Sequence, residues 1–288
     1  MIGIDLSRNR PEEMAGHELR IVNYFTERMM KMETQDCLKA IDVANPNVGM
    51  LEMAPEEAGM KIERLPFTVR LATNEEELAK AVSIRHQAYA RHVPALAQSL
   101  TQAEPYDFEK GTVVLLAESK LDGSPLGTMR IQTNAHKKLT LEQSVVLPDW
   151  LQGASLAEAT RLGIAEGRMG RIVKTALFKA YFEFCQSSGI EWMVITARAP
   201  LDRQYAALLF RDVFGVGEYI PMRHVGNIPH RVLAFEIGSA KARWAAVNHP
   251  LLNFMCGTHH PDISISSDGV FSPRLEIGLP NQSIHAIA

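Results

Sequence analysis

The chain has 288 residues, with 30 Lys and Arg against 33 Asp and Glu and a formal charge of -3. That balance supplies no global positive field for phosphodiesters, so it excludes a nucleic-acid binder and confines any cationic site to a local patch. A 46% hydrophobic, 22% charged composition excludes wholesale disorder and collagen-like repeats, and the length allows one large domain or two small ones.

Residues 1–65 hold eight of the 13 methionines, and Leu19, Val22, Phe25, Met29 and Met30 recur at roughly helical spacing. They are expected to form a docked amphipathic helix or, because methionine is flexible and polarizable, a surface lining a channel for a long acyl chain. Arg8, Arg10, Glu12 and Glu13 interrupt the N-terminus before a secretory apolar run can develop. No later segment approaches the roughly 20 apolar residues of a transmembrane helix. Cys37, Cys185 and Cys256 include no C-x-x-C pair, which points away from a disulfide framework or a zinc knuckle and towards the reducing cytoplasm. Changes of character near Pro66 and Gly238 divide the chain into an N-terminal helical extension and linker (1–65), a core (66–238) and a C-terminal helix and tail packed on it (239–288).

Within the core, TVRLAT reads as a strand, and Thr73-x-x-Glu76 is a capping-box pattern opening a helix that runs to about His92. TVVLLAES and LGTMRIQT are strands around hairpin punctuation at residues 121–125. ASLAEATRLGI is a further strand, followed by Gly167, Gly170 and a helix over about 172–186. EWMVITA is the next strand, Pro200 suits the first turn of another helix, and RVLAFEIG closes the set. The expected fold is α/β (α+β): a mixed central sheet flanked by helices.

Several charges fall where a core should be. Arg85 lies on the helical stripe of Leu78, Val82 and Tyr89, so it needs a carboxylate partner or a ligand unless it snorkels at the stripe's edge. Arg130 follows Leu126 and Thr128 on one strand face and is either surface-facing or functional. Glu158 shares a face with Leu156, Thr160 and Leu162, whereas Arg161 points the other way unless a bulge intervenes. In Glu104-Pro105-Tyr106-Asp107, Asp107 is a turn residue or a counter-charge to one of these arginines. Together they form a reaction centre or a purely structural ion network.

Arg161, Arg168, Arg171, Lys174 and Lys179 face a single acid, Glu166, around the glycine turn. Such a turn opening a helix presents free N–H groups and a positive dipole end to an anion such as phosphate. The spacing fits neither a Walker loop nor a dinucleotide fingerprint, but it is compatible with a phosphopantetheine arm or its acidic carrier. His259, His260 and Asp262 read as tail or cap residues rather than metal ligands, and Cys185 as core rather than nucleophile.

The order R-x-x-x-Y (Arg85, Tyr89), Y-D (Tyr106, Asp107), L-G-T-M-R-I (Gly127, Arg130) and E-A-T-R-L (Glu158, Arg161) resembles the long-chain N-acyl amino acid synthases. These are relatives of the acyl-homoserine-lactone (autoinducer) synthases within the N-acetyltransferase-like (GNAT) superfamily. The resemblance covers about residues 66–237 and implies a sheet whose central strands splay to admit a pantetheine arm. Phe108-Glu109-Lys110 replaces the additional nearby Asp of many lactone synthases, the helix after Tyr89 lacks their usual Trp, and Phe210 stands where many acetyltransferases carry a Tyr acid.

What the resemblance implies is an acyltransferase moving a fatty acyl group from acyl carrier protein to an amino acid, with no bound cofactor beyond the carrier's phosphopantetheine arm and no metal. Glu158 would be the general base, directly or through a water, with backbone N–H groups of its strand as the oxyanion donors. Arg85, Arg130 and Arg161 would organise the site with Tyr89 or grip the substrate carboxylate, Asp107 would fix one arginine, and Arg168, Gly170, Arg171 and Lys174 would receive phosphate and carrier. The alternatives are a lactone synthase using S-adenosylmethionine and a catalytically silent carrier-binding protein.

Overall fold

A computed structural model describes residues 60–265; the methionine-rich helix expected over 17–41 and the tail after 265 lie outside them. The elements follow in chain order. Strand β1 (Lys61–Ile62) and strand β2 (Phe67–Leu71) precede helix α1 (Glu75–His92) and the single turn α2 (Pro94–Ala97). Next come β3 (Thr112–Ser119), β4 (Pro125–Thr133), β5 (Leu156–Ile164) and α3 (Gly170–Ser187). Then follow β6 (Trp192–Ala197), α4 (Leu201–Ala207), β7 (Arg211–Asp212), β8 (Ile220–Met222), β9 (Ile228–Glu236), α5 (Ala240–Ala246), β10 (Thr258–His259) and β11 (Ile263–Ser264).

The main sheet runs β11-β2-β3-β4-β5-β6-β9-β7, with β8 on β9. Its parallel pairs are β11 with β2 and β5 with β6. Alternation of side chains across β3 separates two layers. Leu115 and Ala117 join the large core under α3, whereas Val114 and Leu116 pack with Leu78, Ala81 and Val82 of α1 on the other face. Gly127 permits the first packing: a Cβ there would stand 2.7 Å from Val173 Cγ1 of α3.

The expected strands and long helices are present, with shifts at their ends. Helix α1 is capped by Asn74, whose Oδ1 accepts from Glu77 N at 3.0 Å, while Glu77 Oε2 accepts from Thr73 N at 2.6 Å. The cap is thus one residue later than Thr73–Glu76 implies, with Glu77 closing on the amide before the cap, because asparagine is a strong cap and Glu77 is also held by Arg70. Helix α3 opens at Gly170 rather than near Ile172, and Pro200 is the N-cap of α4 rather than within its first turn.

The segment after Gly238 is part of the packing. Trp244 of α5 is buried against Phe182 and Phe235, and Ile263 pairs with Val69. Lys179, counted with the basic surface in the sequence, is only 1% exposed. Its ammonium donates to Phe254 O at 2.7 Å and to Thr258 O, and lies 2.9 Å from His260 Nδ1. It therefore anchors the C-terminal segment to α3. Among the described residues no helix is long and apolar enough to cross a membrane.

Candidate active site

Beneath α1 the apolar layer of β3 gives way on β4 and β5 to ionisable side chains. Gly163 lets α1 descend onto β5, since a Cβ there would lie 3.0 Å from Arg85 Cα. Arg85 from α1, Arg130 from β4 and Glu158 from β5 all have no solvent exposure. Register places Arg130 opposite Thr160 and Gln132 opposite Glu158, and Arg130 Nε donates to Thr160 Oγ1 at 3.1 Å.

Asp107 is the counter-charge. It accepts from both terminal nitrogens of Arg85 at 2.8 and 2.9 Å, and from Arg130 Nη1 at 3.4 Å. The hub, however, is Glu104, which the sequence reading quoted without assigning. Glu104 Oε2 accepts from Arg161 Nε at 2.7 Å, Arg130 Nη1 at 3.0 Å and Arg85 Nη1 at 3.4 Å, and Oε1 accepts from Arg161 Nη2 at 2.7 Å. The available signal was the spacing of two acids around Pro105. The one-turn helix Pro105–Phe108 sets both carboxylates side by side, with Asp107 Oδ2 accepting from Glu104 N at 2.8 Å.

Burial alone would raise both carboxyl pKa values. The hydrogen bond and charge of Arg161, with Arg130 and Arg85, instead hold Glu104 below the usual range, and Arg85 chiefly does so for Asp107. With Glu158 protonated, three guanidiniums facing two paired carboxylates leave one positive charge inside, which ionised Glu158, felt by Arg130 and Arg161, would offset. Such a charge is costly unless a further anion approaches it.

Arg161 enters this network through a bulge. Arg130 pairs with Thr160 but Thr128 pairs with Gly163, so Arg161 and Leu162 together face Met129. Arg161 adopts a φ of 56°. The extra residue turns the guanidinium towards Glu104 and sends Leu162 to the core under α3, so Leu162 does not share the face of Glu158 as a regular strand would require. The Tyr89 ring lies 6.0 Å from Arg161 Cζ.

Glu158 is the carboxylate left over. Its Oε2 accepts from Leu141 N at 3.0 Å, while its buried Oε1 has no partner among the described residues. Complete burial raises its pKa from 4.5 to about 7, against the opposing pull of the Leu141 and Thr140 amides and of Arg130 and Arg161. A buried carboxyl titrating near neutrality can hold or release a proton there. Glu158 also stands at an opening. The β5–β6 pairing ends at Ala159 with Ile195, although β5 continues to Ile164 and β6 to Ala197.

The second predicted group lies at the start of α3. Arg168 and Arg171 are exposed, Gly170 is the first helical residue, and the half-buried Lys174 donates to Gln204 Oε1. Arg91 ties the end of α1 to the same turn, donating to Ile164 O at 2.6 Å and pairing with Glu166 at 3.2 Å. Cys185 is buried with its thiol pKa pushed well up by desolvation, and Phe210 stacks on Phe235.

Residues 80–229 match the profile of the family described as N-acyl amino acid synthase FeeM. Among solved structures, FeeM, an N-acyl amino acid synthase from uncultured soil microbes, aligns at 15% identity and a TM-score of 0.49, over 66% of this chain and 97% of its own. The CoA-dependent acyl-homoserine lactone synthase BjaI aligns at 15% and 0.44, over 67% and 93%. A putative N-acetyltransferase from Lactobacillus plantarum aligns at 14% and 0.44, over 60% and 99%. No curated protein sequence matches the chain. The matched span takes in Arg85, Glu104, Asp107, Arg130, Glu158 and Arg161 and covers more than half of the sequence, and on that ground the chain belongs to the N-acyl amino acid synthase FeeM family of acyltransferases.

Proposed function

We propose that the protein transfers a fatty acyl group from acyl carrier protein to the α-amino group of an amino acid. The observation carrying this reading is the placement of a near-neutral carboxyl, Glu158, beside a surplus guanidinium charge where β5 and β6 part. An amino acid offers an ammonium and a carboxylate, and this face offers a match for each. Glu158 Oε1 is an unpartnered acceptor and Arg130 Nη2 an unpartnered donor among the described residues.

In the proposed reaction the ammonium first loses a proton through Glu158 to solvent, which leaves Glu158 ionised. The nitrogen lone pair then attacks the thioester carbon, and the carbonyl oxygen takes up negative charge against backbone N–H groups of β5 beyond Ala159. The nitrogen gives its second proton to Glu158, collapse breaks the C–S bond, and the leaving pantetheine thiolate takes that proton, giving amide and free thiol. Arg85, Asp107 and Glu104 hold Arg130 and Arg161 in place, so the site is organised before substrate arrives. Arg168, Arg171 and Lys174, with the amides opening α3 at Gly170, would meet the phosphate and the acidic carrier.

The test is mass spectrometry of purified protein with a mixture of fatty-acyl carrier proteins, the twenty amino acids and S-adenosylmethionine. An N-acyl amino acid is expected, and its mass names both substrates. Methylthioadenosine with an acyl lactone would instead make the protein a lactone synthase. Carrier binding without any amide would reduce the charged face to a structural network.

A further inference from the structure

Among the described residues, the buried side-chain atoms without partners include Arg130 Nη2, Glu158 Oε1 and His224 Nδ1. The first two belong to the proposed reaction; His224 has no assigned role. It lies in the one-turn helix Arg223–Val225 that follows β8, and it spans the gap by two contacts. Its carbonyl accepts from Arg161 Nη2 of the β5 bulge at 3.3 Å, and its Nε2 lies 3.4 Å from Thr196 Oγ1 of β6. Thr196 is the first residue past the last β5–β6 rung at Ile195. Because Glu158 pairs with Val194, and side chains alternate along a strand, Glu158 and Thr196 share one sheet face. Neither contact of His224 uses Nδ1, and a buried ring nitrogen without a partner is costly until a ligand supplies one.

The ring is also neutral. Burial, with the charges of Arg161, His230 and Arg130, lowers its pKa to about 3. A neutral imidazole has one donor and one acceptor nitrogen; Thr196 Oγ1 can accept from Nε2–H or donate to Nε2, and in the first of these tautomers Nδ1 is the acceptor.

We propose that His224 is a further residue of the acylation site, accepting a hydrogen bond at Nδ1 from the amine of the incoming amino acid and so aiming its lone pair at the thioester carbon. This rests on the acyltransfer reading above. A neutral amine has two N–H bonds and one lone pair. Glu158 Oε1 and His224 Nδ1 are both buried without partners among the described residues, on elements that meet where the β5–β6 pairing ends, and in the proposal the amine's two N–H bonds satisfy them and leave its lone pair for the thioester. The two groups then divide the work. Glu158 exchanges the proton that is lost, whereas His224, too weak a base to take it, holds the N–H that remains in the amide.

The experiment compares wild type, His224→Phe, His224→Asn and His224→Gln, with dodecanoyl carrier protein as donor and the twenty amino acids tried singly as acceptors. Phe fills the ring's space without an acceptor, Asn returns an oxygen near Nδ1, and Gln returns one nearer Nε2. The Phe variant is expected to lose about 10- to 100-fold in kcat/KM for the amino acid, with the KM for the donor unchanged and the pH limb near 7 retained. Asn is expected to recover part of that loss, and Gln little. An unchanged kcat/KM for the amino acid in the Phe variant, an equal defect in donor KM, or identical Asn and Gln variants would overturn the assignment. If the Phe variant does not fold, the Asn and Gln pair decides. Absence of any N-acyl amino acid from wild type defeats the underlying reaction instead, and that is seen before a variant is assayed.

Discussion

Glu158 couples activity and stability with opposite signs. Its pKa of about 7 in the folded protein exceeds the ordinary 4.5, so the folded state holds this proton more tightly than the unfolded chain does. The resulting stabilisation is fully present below pH 4.5 and is lost as pH rises through 7. The proposed reaction uses the ionised form, so kcat/KM for the amino acid is expected to climb through about pH 7 and then level. Glu158→Gln should lower turnover by about 10²- to 10⁴-fold, abolish that limb, and melt higher than wild type at pH 8 while matching it more closely at pH 5. Full activity with an unaltered pH profile would remove Glu158 from the chemistry. The same scale shows what could be read from the chain. Arg85 and Arg130 were conspicuous because charge interrupts an apolar pattern. Glu104 was not, because an acid beside a proline in a polar turn looks like any loop residue until the turn closes against three arginines.

At the level of elements, period and punctuation were enough to place most strands and both long helices, since each buries one face. Two features escaped and a third stayed open because they depend on partners distant in sequence. The sequence allowed a bulge at Arg161, but only the pairing of β4 with β5 decides it. His224 sits in a short turn whose residues show no period. Lys179 looked like surface basicity because α3 is otherwise apolar on the sheet side, yet the C-terminal segment folds over it. That last contact is testable. Replacing Lys179 with Met leaves the Phe254 and Thr258 carbonyls without their donor, and unfolding free energy is expected to fall by about 2 to 6 kcal/mol, at roughly 1 to 3 kcal/mol for each unsatisfied buried group. Denaturant titration measures this. A variant as stable as wild type would mean that the segment is held by Trp244 and its neighbours alone.

Across the whole molecule, a formal charge of -3 would set how the proposed acidic carrier approaches. The average field repels it, so productive encounter depends on a local patch whose reach is about one Debye length, roughly 10 Å at 0.1 M salt. Exposed Arg168 and Arg171 flank the start of α3, and Ile172 beside them is 45% exposed; this pairs charge for steering with an apolar contact for holding. Arg171→Glu is expected to raise the KM for acyl carrier protein several-fold at low salt. The gap from wild type should narrow towards 0.5 M salt as both proteins lose steering. An acyl N-acetylcysteamine donor has neither phosphate nor carrier, so the defect should vanish with it. Equal impairment with both donors would mean that the substitution damages the acyl site rather than the docking surface. A KM for the carrier that ignores both charge and salt would move carrier recognition away from α3 altogether.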